Sequence, residues 1–169
     1  MNALLAIAAL VAVASTMAMV LQRRAVHALL YLIVSFFALA VAMLSLGAAF
    51  AAALEVVVYA GAILVLFVFV VMMIGSEGPV PGPKAWIGPA CLSVVLLGEL
   101  AYAFFAAPGL LAPAGSPTAA VSPKEVGLAL FGPYAVCVEI AAFLLLSGLV
   151  GAYRIGRRDA GSRAGGGKP

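Results

Sequence analysis

Residues 54–75 read LEVVVYAGAILVLFVFVVMMIG. The run is long and apolar enough for a membrane-spanning helix, which needs about 20 such residues. It nevertheless opens on Glu55, carries Tyr59 one turn later, and is interrupted by the small residues Ala60, Gly61 and Ala62. A helix in lipid that combines an acid with a weak point poses the question from which the rest of the chain is read.

The chain has 169 residues, of which 66% are hydrophobic and 9% charged. Its mean hydropathy is +1.25. A soluble domain carries about 25% charged residues, and one of this size could not hide so much apolar surface, so lipid is the solvent. Hydropathy windows predict five spans: 3–21, 26–46, 54–74, 86–106 and 131–153. Backbone groups in hydrocarbon need internal partners, so the spans are predicted helices and the fold class all-α integral membrane. No alternating ten-residue strands of a barrel appear.

The first span lacks a preceding basic region and does not read as a cleaved signal. Arg23, Arg24, Lys84, Arg154, Arg157, Arg158, Arg163 and Lys168 fall on one side of the predicted spans, and only Lys124 on the other. By the positive-inside rule this places the N-terminus in the periplasm and the C-terminus in the cytoplasm. The net charge of +3 is then a topology signal and not a sign of nucleic-acid binding.

Residues 75–85 read as a short Gly/Pro-rich loop, and 107–121 as an irregular outer loop. Ser122-Pro123-Lys124-Glu125 offers a capping box with proline at the first helical position, so a short helix is expected to start there and to break at Gly132-Pro133. Residues 154–169 read as a basic, flexible tail behind the five-helix domain 1–153.

No phosphate-binding glycine motif or dinucleotide fingerprint is present. Cys91 and Cys137 are the only cysteines, whereas an iron–sulfur cluster held by thiolates needs about four. They are predicted at depths differing by roughly 10 Å, beyond disulfide reach, and read as packing residues. His27, the lone histidine, sits at a helix start and reads as an interfacial or packing residue. The chain is expected to hold no cofactor or metal and to carry out no redox chemistry alone.

Glu55, Glu99 and Glu139 lie in the predicted spans, which contain no Lys or Arg. A charge at the bilayer centre costs about 3 kcal/mol on insertion scales, so each acid needs a proton, a water path or a basic partner from another subunit. Glu139 reads as near the middle of its span, and Glu55 as within a turn of the outer end of its own, where it could simply reach water. For Glu99 a helix-packing hydrogen bond and a functional role are equally open. Glu55 and Tyr59, four apart, are expected on one helical face, where a phenol beside a carboxylate can order water and pass protons. Gly61 costs up to about 1 kcal/mol relative to alanine. It reads either as a close-packing notch between Ala60 and Ala62 or as the site of a π-bulge.

The run RRAVHALLYLIVSFFALAVAMLSLGAAFAAALEVVVYAGAILVLFVFVVMMIG resembles the J-subunit family of the bacterial NADH–quinone oxidoreductase, respiratory complex I. Its most specific piece is VYAGAILVLFVFVVMM, supported by VHALL and LGAAF. LFGPYAVCVEIAAFLLLSGLVGA is similar to that family's last span, with Glu139 at the acidic position. The likeness covers residues 24–75 well and 122–153 moderately. Ala25 and the run Val136-Cys137-Val138 depart from the family pattern, and Glu99 matches no family position.

The resemblance implies an inner-membrane subunit of a complex in which NADH reduces quinone through FMN and iron–sulfur clusters held by partner subunits. Its neighbours would be the quinone-site subunit, other small membrane subunits and the antiporter-like pumps. It also implies a π-bulge near Tyr59-Ala60-Gly61-Ala62 whose straightening opens or closes a water path. Removing one bulge residue turns everything beyond it by about 100°, which would swing Phe67 and Met72 across a path defined by Glu55 and Tyr59, with Glu139 as a further proton-path acid. Three alternatives stand beside this reading: a purely structural spacer, a subunit of a related membrane-bound hydrogenase or antiporter-like assembly, and a free-standing transporter.

Overall fold

The computed structural model describes residues 3–75, 82, 86–105 and 121–164, with side chains to 157. The chain divides into two compact units, Met1–Val121 and Ser122–Pro169. Among the described residues there are only helices, and 5 of them are long and apolar enough to cross a membrane.

In the first unit, α1 spans Ala3–Leu21 and α2 spans Ala25–Ser45. At 1.5 Å per residue each is about 30 Å long, the thickness of a hydrocarbon core. Lipid tails are as apolar as leucine, so helices here associate by close packing and hydrogen bonds and not by a hydrophobic driving force. The composition supplies both. Ala8 and Ala12 on α1 and Ala38 on α2 are buried, and these small residues let the backbones approach. Thr16 Oγ1 donates to the Ala12 carbonyl at 2.8 Å and shares a hydrogen bond with Ser35 Oγ at 2.9 Å, tying α1 to α2.

α2 ends in a Schellman turn. Gly47 adopts φ +82°, and the N–H of Ala48 donates to the Met43 carbonyl at 3.0 Å. Glycine takes this left-handed conformation without the Cβ penalty. The tight reversal starts α3 at Ala49, and α3 runs to Ile74. The hydropathy window begins five residues later, at Leu54, because Ala49-Phe50-Ala51-Ala52-Ala53 is alanine-rich and only mildly apolar. High helix propensity carries the helix back to the turn.

α4 spans Ile87–Phe105 and lies beside α2 in the same direction. Near their starts the rings of His27 and Trp86 meet edge to face with centroids 5.5 Å apart, and the Tyr31 hydroxyl lies against Gly88. Val11 and Ala12 of α1, Val34 and Ala38 of α2, and Leu96 of α4 form the core of this unit. α2 is thus the central helix, packed by α1, α3 and α4. His27 is buried, as the packing reading requires.

In the second unit, α5 spans Pro123–Phe131 and α6 spans Ala135–Ala164. The capping box is formed: the Ser122 N–H donates to Glu125 Oε2 at 3.0 Å and the Glu125 N–H to Ser122 Oγ at 3.4 Å, with Pro123 in the first turn. The break at 132–134 falls where Gly132-Pro133 places it. α6 begins at Ala135 and not at Phe131, and it continues as helix to Ala164 through most of the segment expected to be a flexible tail. The expected loop 107–121, apart from Val121, and the loop 75–85, apart from Gly75 and Gly82, lie outside the described residues, as does the end of the expected tail beyond Ala164.

Candidate functional site

α3 is not one regular helix. Ala49–Leu54 and Leu64–Ile74 are α-helical, and the nine residues Glu55–Ile63 between them are wound as π-helix. The segment closes with the Leu64 N–H donating to the Tyr59 carbonyl, a bond across five residues. The wider winding decides which side chains face α2. Ala52, Glu55, Ala60 and Leu64 are the buried residues of α3, at spacings of three, five and four. The five-residue step falls inside the π segment and brings Ala60 under α2 in line with Glu55.

Glu55 and Tyr59, read from the sequence as a pair on one face, both turn toward α2 but differ in burial. Glu55 is 9% exposed and Tyr59 48% exposed. The Tyr59 ring packs against Phe36 of α2, with centroids 5.5 Å apart and planes inclined by 42°. Phe36 therefore belongs to the site, and a one-dimensional pattern could not reveal it because the pairing crosses helices. Glu55 also lies deeper than expected. Six residues separate it from the helix start at Ala49, about 9 Å of rise.

Gly61 forms no notch within the chain, since Ala60 is buried while Gly61 and Ala62 face outward. Its demand is local. A Cβ on Gly61 would meet the Val56 carbonyl oxygen at 3.1 Å. That oxygen is the one five residues back, brought close by π winding, so a side chain at 61 would have to be accommodated against it. Phe67 and Met72 lie on the α-helical continuation and are both exposed.

Glu139 belongs to the second unit and is exposed on α6. It lies four residues, about 6 Å, after the first residue of that helix. The expectation of a mid-span position is thus corrected, because the span starts later than hydropathy alone indicates. Glu55, not Glu139, is the farther of the two from its helix start. Cys91 and Cys137 are free and exposed on the surface of the chain, so neither packs within its own unit. Among the described residues no three His, Cys, Asp or Glu come together as a possible metal site.

Residues 15–155 match the family model described as NADH-ubiquinone/plastoquinone oxidoreductase chain 6. The NADH-quinone oxidoreductase subunit J of Pseudomonas aeruginosa is 48% identical over 161 residues, which cover 90% of this chain and 95% of that relative. The subunit J of Escherichia coli is 46% identical over 160 residues, covering 90% and 85%. That of Buchnera aphidicola from Acyrthosiphon pisum is 44% identical over 152 residues, covering 86% and 87%. With five apolar helices, a π-wound third span and these relatives, the chain belongs to the chain 6 family of NADH-ubiquinone/plastoquinone oxidoreductases, that of the bacterial J subunits of respiratory complex I, and is a multi-pass protein of the inner membrane.

Proposed function

We propose that this chain is a non-redox subunit of the membrane arm that couples quinone reduction to proton translocation, with the π segment of α3 as its gate. The observation that carries the reading is the coincidence, within nine residues, of π winding, the largely buried residue Glu55 and a glycine at 61 whose Cβ would meet the Val56 carbonyl. π-bulges sit frequently at functional sites, and an acid inside a membrane helix marks an ion or proton pathway by default.

The mechanism follows from the winding. While the segment is π-wound, Glu55 faces α2. Converting one turn to α removes one residue from the insertion and rotates the rest of the helix by about 100°. Phe67 and Met72 then sweep past the path bordered by Glu55 and Tyr59, and a chain of waters there is made or broken. Glu139 serves as a further proton-path acid. Electron transfer belongs to partner subunits carrying FMN and iron–sulfur clusters, since two cysteines cannot supply the four thiolates of a cluster. The quinone-site subunit, other small membrane subunits and the antiporter-like subunits are the neighbours through which the helix is driven.

Glu55→Gln in the assembled complex tests the reading. Protons moved per NADH oxidised should fall, while NADH oxidation by an artificial acceptor is unchanged. An unaltered proton ratio in an assembled Glu55→Gln complex favours the structural-spacer reading.

A further inference from the structure

Glu99 is 6% exposed, and neither carboxyl oxygen has a hydrogen-bond partner among the described residues. It lies in the seam of α1, α2 and α4, on the buried face of α4 that also holds Leu96 and Ala103, with the backbone N–H of Ala8 near the carboxyl but outside hydrogen-bond geometry. Two further groups of this unit are orphaned in the same way: Ser15 Oγ, on the buried face of α1, and His27 Nε2, beside Trp86. Native structures leave few buried polar atoms unpaired, and three in one unit of this size ask for an explanation.

Their heights are ordered. The Tyr31–Gly88 contact sets the register of α2 against α4. Glu99, eleven residues beyond Gly88, stands about 16 Å further along, level with the last turns of α2. His27 marks the opposite end, and Ser15 lies between. The core of Val11, Ala12, Val34, Ala38 and Leu96 separates Ser15 from Glu99. This seam is not the π-helix site. Val34 and Ala38 face it, whereas Phe36 faces Tyr59, and a two-residue offset turns a side chain by about 200° around α2.

We propose that Glu99 is a second proton-binding carboxyl of this chain, held in the α1–α2–α4 seam and separate from the path along the π segment. A buried carboxyl with no partner among the described residues is far cheaper neutral than charged, so it carries its proton at rest. When water reaches the seam, the O–H bond of Glu99 breaks, the proton passes to a water as hydronium, and the carboxylate keeps the electron pair. Reprotonation reverses the step. Ser15 and His27 offer the polar atoms on which such waters can be held. The apolar core between Ser15 and Glu99 closes the seam when dry.

The inference rests on the proposed coupling function, and the test separates the two. Infrared difference spectra of the assembled complex, resting against turning over, should contain a carboxylic-acid carbonyl band that shifts in heavy water and is lost in Glu99→Gln. The same variant should move fewer protons per NADH with NADH oxidation by an artificial acceptor retained. If Glu99→Gln does not assemble, Glu99→Asp must shift the band. A band unmoved in Asp, or present in an assembled Gln variant with a normal proton ratio, overturns the proposal. Where Glu55→Gln lowers the proton ratio and Glu99→Gln does not, Glu99 alone is refuted. Where neither does, the coupling reading fails with it.

Discussion

Glu55 and Ala60, five residues apart, turn the same way: both are buried, at 9% and 8% exposure, on the side of α3 that meets α2. In a regular helix they would point about 140° apart. The π segment therefore decides what α2 meets, and a return to α winding cannot leave both residues where they are. A change of winding is a change of interface.

Gly61 should be sensitive to side-chain size in a graded way. Its Cβ would meet the Val56 carbonyl at 3.1 Å, so the neighbouring backbone must give by a few tenths of an ångström. Gly61→Ala adds that crowding and favours regular helix by up to about 1 kcal/mol. Gly61→Val adds a β-branch pressed against the preceding turn. Quinone reduction coupled to proton movement should fall in the order Val below Ala below wild type, with NADH oxidation by an artificial acceptor intact. Normal coupled turnover in Gly61→Val defeats the gate.

Gly88 tests the register of α2 against α4. A methyl there runs into the Tyr31 hydroxyl, and overpacking of this kind costs about 1–3 kcal/mol. Gly88→Ala should lower the thermal stability of the assembled subunit, and combining it with Tyr31→Phe should recover part of the loss. Thermal melts of the complex in detergent read the difference; equal melts for wild type and Gly88→Ala would contradict the contact.

Glu139→Gln should leave assembly intact and lower quinone-linked proton movement. Its place about 6 Å into α6 makes the assembly cost of the neutral substitution small. Unchanged proton stoichiometry would reduce Glu139 to a residue that merely sits near a helix end.

The orientation predicted from the basic residues, with the N-terminus periplasmic, is tested by labelling. Single cysteines introduced in a background lacking Cys91 and Cys137 should react with an impermeant thiol reagent from the periplasmic side at Lys124. They should be protected there at Arg157. Labelling of the Arg157 site in intact cells would reverse the topology.

Hydropathy alone located the five spans to within a few residues, because a helix in lipid must satisfy its own backbone and cannot tolerate charge along its length. The capping box at Ser122 was equally legible, since its partners are three residues apart. So was the weak point at Gly61, though only as an alternative between packing notch and bulge. Everything that depended on a neighbour was not legible. The alanine-rich start of α3 joined the helix because a Schellman turn closes behind it, and that moved Glu55 inward. The later start of α6 moved Glu139 the other way. The π winding spread over nine residues and set Glu55 and Ala60 together beneath α2, with Tyr59 against Phe36 of that same helix. Tertiary packing alone placed Glu99 in a seam where it has no partner among the described residues. The reason is physical: sequence spacing fixes angles only while the helical period is constant, and burial depends on which helices stand beside one another. Here the period changes at the one place where the angle matters most, and α2 supplies the neighbour.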